Sequence, residues 1–205
     1  MARDRTLLRW GAVSTFAAVI VFVVMLVVTQ VEGGLDWAAW VPTFSIFTCL
    51  YVVFLLAGYE YLAPSHGAHA KLGLGFGLLL IVVLFAEIAA WSADRMLSAI
   101  TTGDAALSPM LALFNSTHVL AIWFHGLWLA FWGAAFVQMS GRARLVGGLM
   151  LAFAASYSVY YLLLRLGYPS EAEWAHTTGH VFMVISHWLL GLMMLKASRH
   201  PVEAG

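Results

Sequence analysis

Charge is what this sequence has least of. Asp, Glu, Lys and Arg make up 10% of its 205 residues, against about 25% in soluble domains, and 62% of the chain is hydrophobic. Such a balance points to lipid as the solvent. Lys plus Arg equal Asp plus Glu at 10 each, so there is no basic surplus of the kind that binds nucleic acid. Cysteine is scarcer still. Cys49 stands alone, which excludes an intrachain disulfide and any Cys-x-x-Cys redox or zinc pattern; it is expected to be a small core residue. No Gly-x-Ser-x-Gly and no phosphate-cradling glycine loop occurs, which removes serine-hydrolase and nucleotide readings.

Long apolar runs are present instead, and mean hydropathy is +0.89. A helix needs about 20 apolar residues to cross a hydrocarbon core of roughly 30 Å. Six stretches qualify: Leu7–Val28, Trp37–Tyr59, Leu72–Met96, Pro109–Val137, Leu145–Leu166 and Glu171–Leu195. The segments between them are too short for a soluble domain. The expected fold is all-α, a polytopic bundle of six transmembrane helices forming a single domain over residues 1–205. The basic start, Met1 to Trp10, precedes an apolar run without a small-x-small cleavage site, so the first span is expected to be retained.

Orientation follows from Lys and Arg. With the N-terminus inside, eight of the ten fall on the cytoplasmic side (Arg3, Arg5, Arg9, Lys71, Arg142, Arg144, Lys196, Arg199), and only Arg95 and Arg165 lie outside. A multi-pass protein of the cell (inner) membrane with both termini cytoplasmic is expected. Its first partner is then the lipid bilayer, and homo-oligomers are compatible with the sequence.

Two helix starts are legible. Ser108 before Pro109 reads as a capping serine and a first-turn proline, and Ser170 with Glu173 reads as a capping box after Pro169. An internal echo accompanies them: His118-Val119 with His125 matches His180-Val181 with His187 at an offset of 62 residues, the offset that also separates Ser108 from Ser170.

Ionisable residues inside a span are costly and mark functional sites. Residues at 0, 4, 7 and 11 share one helix face. His176, His180 and His187 stand at 0, 4 and 11 in the sixth span, His118 and His125 at 0 and 7 in the fourth, and Glu87, Trp91 and Asp94 at 0, 4 and 7 in the third. Counted from the two capping serines, His118 is level with His180, and His125 with His187 about 10 Å deeper at 1.5 Å per residue. Glu87 falls between those rows, and Asp94 lies near the outer rim with His176. If the three spans are neighbours, these residues line one cavity.

Three chemistries compete for that cavity. Imidazole and carboxylate suit a transition-metal ion, Fe, Cu or Zn, on His118, His125, His176, His180 and His187 with Glu87 as ligand or base. Facing histidines, His118 with His180 or His125 with His187, suit haem b. The same groups could relay protons in a proton-coupled transporter of a small solute or ion. A redox metalloprotein is placed first, because level histidine pairs suit a haem or a copper/iron pair. In that reading Glu87, Asp94 and Tyr160 are the catalytic candidates, and a redox partner or a small hydrophobic or lipid substrate is the counterpart. A zinc-dependent intramembrane hydrolase is the alternative enzyme. The structural alternative is that the histidines are helix–helix hydrogen-bond donors and Trp123, Trp128, Trp132 and Met183 are packing. Tyr157, Tyr160 and Tyr161 are read first as aromatic packing.

The final span, His176-Thr-Thr-Gly-His180 with His187 beyond, resembles the last-helix His-x3-His of membrane hydrolases of the progestin-and-adipoQ-receptor and ceramidase group. That resemblance implies zinc and amide hydrolysis. It covers His176 to His187 only; the group's early-helix Ser/His/Asp pattern is absent, and the group has one more span. The paired His-Val motifs are likewise similar to the histidine ladders of haem–copper-type membrane proteins.

Overall fold

The computed structural model describes residues 4–32, 37–100 and 107–199, with side chains placed over 4–28, 41–90, 92 and 119–199. Every element is helical: α1 (Arg5–Glu32), α2 (Trp37–Ile100), α3 (Leu107–Val137), α4 (Arg142–Arg165) and α5 (Pro169–Arg199). All five are long and apolar enough to cross a membrane, and α2 carries an apolar stretch from Val41 to Ala90. This is the make-up of a helical membrane bundle. Its outer surface agrees, since Trp10, Ile20, Val24, Val82, Leu120, Leu162 and Val181 are exposed, as lipid-facing side chains must be.

The 64 residues of α2 would reach about 96 Å if straight, over twice the roughly 40–45 Å of a whole bilayer. The helix is broken at His66 (φ −138°, ψ 47°), just after Pro64. Proline removes a backbone donor and clashes with the preceding turn. The two arms fold back on each other: a Cβ on Gly77 would stand 2.7 Å from a Leu55 methyl. Residues 60–71, read from sequence as a connecting loop, are helical on both sides of this break. Leu62 and Ala63 before the break and Ala68, Ala70 and Lys71 after it are good helix formers.

Asp4 caps α1 by accepting the Leu7 N–H at 3.0 Å, and its own N–H donates to Glu60 Oε1 at 2.8 Å, tying α1 to the first arm of α2. The turn from α4 to α5 is a Schellman motif. The N–H of Tyr168 reaches the Leu163 carbonyl at 2.9 Å, that of Gly167 reaches Leu164 at 3.2 Å, and Gly167 has φ +83°, a conformation that suits glycine. Helix α5 therefore starts at Pro169, with Ala172 donating to the Tyr168 carbonyl at 3.0 Å. Ser170 lies inside the first turn and is not the cap. Helix α3 begins at Leu107, also ahead of its expected capping serine. In both, a proline tolerated in the first turn lets the helix start early.

Neighbours around the bundle run α1, α2, α3, α4, α5 and back to α1. Small residues set the crossings, as in membrane bundles generally. Gly11 abuts Ala57 between α1 and α2, Gly147 abuts the Gly133 carbonyl between α3 and α4, and Gly191 meets Phe16 between α5 and α1. Trp132 fills a slot between Gly58 and Gly73 on the two arms of α2, and its indole N–H donates to the Ala70 carbonyl at 3.3 Å. Gly77 also serves a close contact, whereas Gly75 faces open space. Cys49 is exposed, not in the core; a small thiol facing lipid carries no burial requirement.

Candidate functional site: a histidine–tyrosine cavity

Every helix contributes to one cavity of about 230 Å³. Phe22 comes from α1; Phe44, Phe47 and Tyr51 from the first arm of α2; Leu80, Leu84 and Glu87 from the second arm. Helix α3 adds Ala121, Ile122 and His125, α4 adds Tyr157, and α5 adds His176, His180 and Met183. The polar stripes on α2, α3 and α5 thus meet across a cavity. Helix α4 is the neighbour of both α3 and α5, and it carries Tyr157 into the space between them.

Two tyrosines organise the imidazoles in two tiers. In the deeper tier, Tyr51 Oη lies 2.6 Å from His187 Nε2 and 3.4 Å from His125 Nε2. His187 Nδ1 lies 2.8 Å from the Met183 carbonyl, which can only accept, so Nδ1 carries the proton. In the neutral ring Nε2 is then a lone pair, and Tyr51 must donate to it. The Tyr51 oxygen is left to accept from His125. The result is a directed chain, His125 N–H to Tyr51 O–H to His187 to the Met183 carbonyl. Ser186 Oγ donates to the same carbonyl at 2.9 Å and stands 3.3 Å from His187 Nδ1. Both nitrogens of His187 are thereby engaged.

In the outer tier, Tyr157 Oη lies 2.9 Å from His180 Nε2 and 3.5 Å from His176 Nε2. The phenol has one proton, so it donates to one ring and accepts from the other. His176 and His180 are one helical turn apart, with ring centroids 4.2 Å apart. Aromatic walls confine the rings: Phe22 stands 5.0 Å from His180, Phe153 4.9 Å from His125 and Phe54 4.8 Å from His187.

Glu87 is buried at 5% exposure and His187 at 3%; His125, His176 and His180 are half-buried. Tyr160 packs its ring 4.8 Å from His176 and does not line the cavity; its neighbour Tyr157 does. The side chains of His118 and Asp94 lie outside the described residues. Tyr51 had no place among the site residues expected from sequence, since an isolated tyrosine in a span has no periodic signal and its partner His187 is 136 positions away. Among the described residues no three His, Cys, Asp or Glu side chains stand close enough to share one metal ion.

Below the deeper tier the bundle is closed. Phe54, Trp128, Trp132 and Phe136 are fully buried, and Trp128 and Trp132 meet edge to face at 5.1 Å. Trp128 Nε1 finds no acceptor among the described residues. A buried donor left unpaired costs about 1–3 kcal/mol. Trp128→Phe is therefore expected to change stability by less than about 1 kcal/mol, since removing that donor offsets the lost volume. Trp132→Phe, which removes the indole donor to the Ala70 carbonyl, should cost more. Denaturant titrations of the two variants in mild detergent would read the difference, and equal losses would contradict it.

No protein-family model, curated protein or solved structure matches this chain. The functional reading therefore rests on the cavity itself.

Proposed function

We propose that the chain is a six-span membrane protein with both termini cytoplasmic, whose central cavity binds a small solute or cation and exchanges a proton with it. Six spans follow if each arm of α2 is one crossing, and the orientation follows from the sequence pattern that assigns eight of ten Lys and Arg to one side of the membrane. The observation that carries the function is the convergence of Glu87, His125, His176 and His180 on a cavity of about 230 Å³, with tyrosines holding the rings. In the deeper tier the donors and acceptors run head to tail from His125 through Tyr51 to His187, so a proton taken up by His125 can shift to His187; the Met183 carbonyl only anchors that ring. The aromatic layer of Trp128 and Trp132 makes the cavity a dead end on the cytoplasmic side, so passage through the bundle requires that layer to move. Volume favours a small occupant, since drug-sized ligands take about 300–1,000 Å³.

The test is proton movement in proteoliposomes loaded with a pH-sensitive dye and challenged in turn with monovalent cations, divalent cations and small amines. Wild-type protein, freed of bound metal with a chelator before reconstitution, should move protons with at least one class, and Glu87→Gln should abolish it. No movement with any class, or movement unchanged in Glu87→Gln, would overturn the reading.

A second reading, a transition-metal centre of redox or hydrolytic type, is favoured by one feature: the His176/His180 pair at one-turn spacing, the usual way a helix offers two ligands to one ion. His125 and His176 make the longer tyrosine contacts, at 3.4 and 3.5 Å. Glu87 would complete the donor set. Metal analysis with visible spectra, oxidised and dithionite-reduced, decides it. Near-stoichiometric Zn, Fe or Cu selects this reading, and a Soret band that shifts on reduction selects haem.

A further inference from the structure

A larger hollow lies away from the histidines, at the end where α1 begins and α5 ends. It measures about 960 Å³ and sits between the break in α2 at His66, the α3–α4 connection at Ser140, the start of α4 and the last turns of α5. Arg142 and Lys196 stand on its walls, and among the described residues no carboxylate lines it. Glu60, the acidic residue nearest the break in sequence, is occupied by the Asp4 N–H at 2.8 Å. Deeper along α5 the wall becomes apolar: Leu192 and Leu189 lie one and two turns below Lys196 and line the same hollow. Cations at the rim and leucines below form the profile of a phospholipid, phosphate first and acyl chain beneath.

We propose that this hollow is a binding site for one anionic phospholipid of the leaflet on the termini side. Arg142 and Lys196 hold its phosphate, Ser140 hydrogen-bonds the headgroup, and Leu189 and Leu192 carry the start of an acyl chain. Charge complementarity selects the occupant. Both cations are exposed at the rim, no carboxylate among the described residues lines the hollow beside them, and basic pockets between spans on this side suit anionic headgroups. The site is independent of the histidine cavity and requires only that the bundle sits in lipid.

The test uses the full chain, stripped of lipid in mild detergent, with native mass spectrometry after adding phosphatidylglycerol, phosphatidylcholine with the same chains, or inorganic phosphate. Phosphatidylglycerol should be retained as a one-to-one adduct in clear preference to phosphatidylcholine. Arg142→Gln with Lys196→Gln should weaken it about ten- to thirtyfold, since each basic residue near such a surface contributes about 1 kcal/mol. Lys71→Gln, a basic residue of the same end outside the hollow, should leave it unchanged. Leu192→Gln keeps both cations and should still weaken the adduct. Equal retention of the two lipids, an equal loss in Lys71→Gln, or an unweakened adduct in the double variant would overturn the proposal. So would binding of inorganic phosphate with no lipid preference, which would make the hollow a plain anion site.

Discussion

Tyr51→Phe should abolish ligand-linked proton movement while leaving the bundle folded. Among the described residues the phenol oxygen is the atom that bridges the deeper histidines, at 2.6 Å to His187 and 3.4 Å to His125. Phenylalanine keeps the ring that packs against Phe47 at 5.3 Å and Phe54 at 5.1 Å and removes only the hydroxyl. His187 then loses the donor to its Nε2 in a site with 3% exposure, a loss of about 1–3 kcal/mol. That is tolerable for a bundle, but it cuts the chain between the two rings. A positioned acid–base group contributes roughly 10²–10⁴ in rate, so the drop in proton flux should be at least about a hundredfold. Proteoliposomes with wild-type and Tyr51→Phe protein at matched incorporation give the comparison. Flux within threefold or so of wild type would remove Tyr51 from the relay, because a packing role is preserved in the variant.

The second large effect is structural and turns on two adjacent glycines. A Cβ on Gly147 would lie 2.5 Å from the Val137 nitrogen, 2.7 Å from the Gly133 carbonyl and 2.8 Å from Phe136 Cβ. Two of these three neighbours are backbone atoms of α3 and cannot swing aside. Gly147→Ala must therefore push α3 and α4 apart, at the upper end of the about 1–3 kcal/mol typical of overpacking or beyond it. That crossing also fixes Tyr157 and His125 across the cavity, so ligand-linked proton flux should fall with stability. Gly148 meets nothing within 4 Å, and Gly148→Ala should stabilise α4 by up to about 1 kcal/mol through helix propensity alone. Opposite signs at neighbouring positions are the expected outcome of paired unfolding titrations. Two losses of similar size would mean that general helix strain is being measured instead of a crossing.

Much of the architecture was legible because bilayer thickness dictates helix length. The apolar runs are long, their connections short, and the chain has too little charge for any other solvent. The arms of α2 were readable as two separate runs, whereas the helical character of residues 60–71 was not, since polar side chains and Pro64 look like a loop in sequence. The α5 start was displaced for a local reason: Gly167 turns the chain so that Tyr168, not Ser170, supplies the first carbonyl. In the site, helical periodicity is what made Glu87, His125, His176, His180 and His187 stand out, because each is an expensive residue repeated on one face. Tyr51 and Tyr157 carry no such mark. A tyrosine in a span is ordinarily an aromatic packing residue, and its role here comes from partners on other helices. Tyr160 was the expected hydroxyl. It lies one turn from Tyr157 on nearly the same face and packs its ring on His176, while Tyr157 is the one whose side chain lines the cavity. Cys49 failed as a core residue because apolar character does not distinguish inside from outside when both are apolar.

The most direct test of the account is nitrogen NMR of histidine-labelled protein in detergent micelles, with His187 assigned by substitution. The geometry predicts that the His187 ring carries its proton on Nδ1, given to the Met183 carbonyl. Its Nε2 should be a hydrogen-bonded acceptor whose signal moves when Tyr51 is replaced by phenylalanine. A proton found on Nε2, or a His187 spectrum indifferent to Tyr51→Phe, would contradict the directed chain and with it the assignment of this cavity to proton exchange.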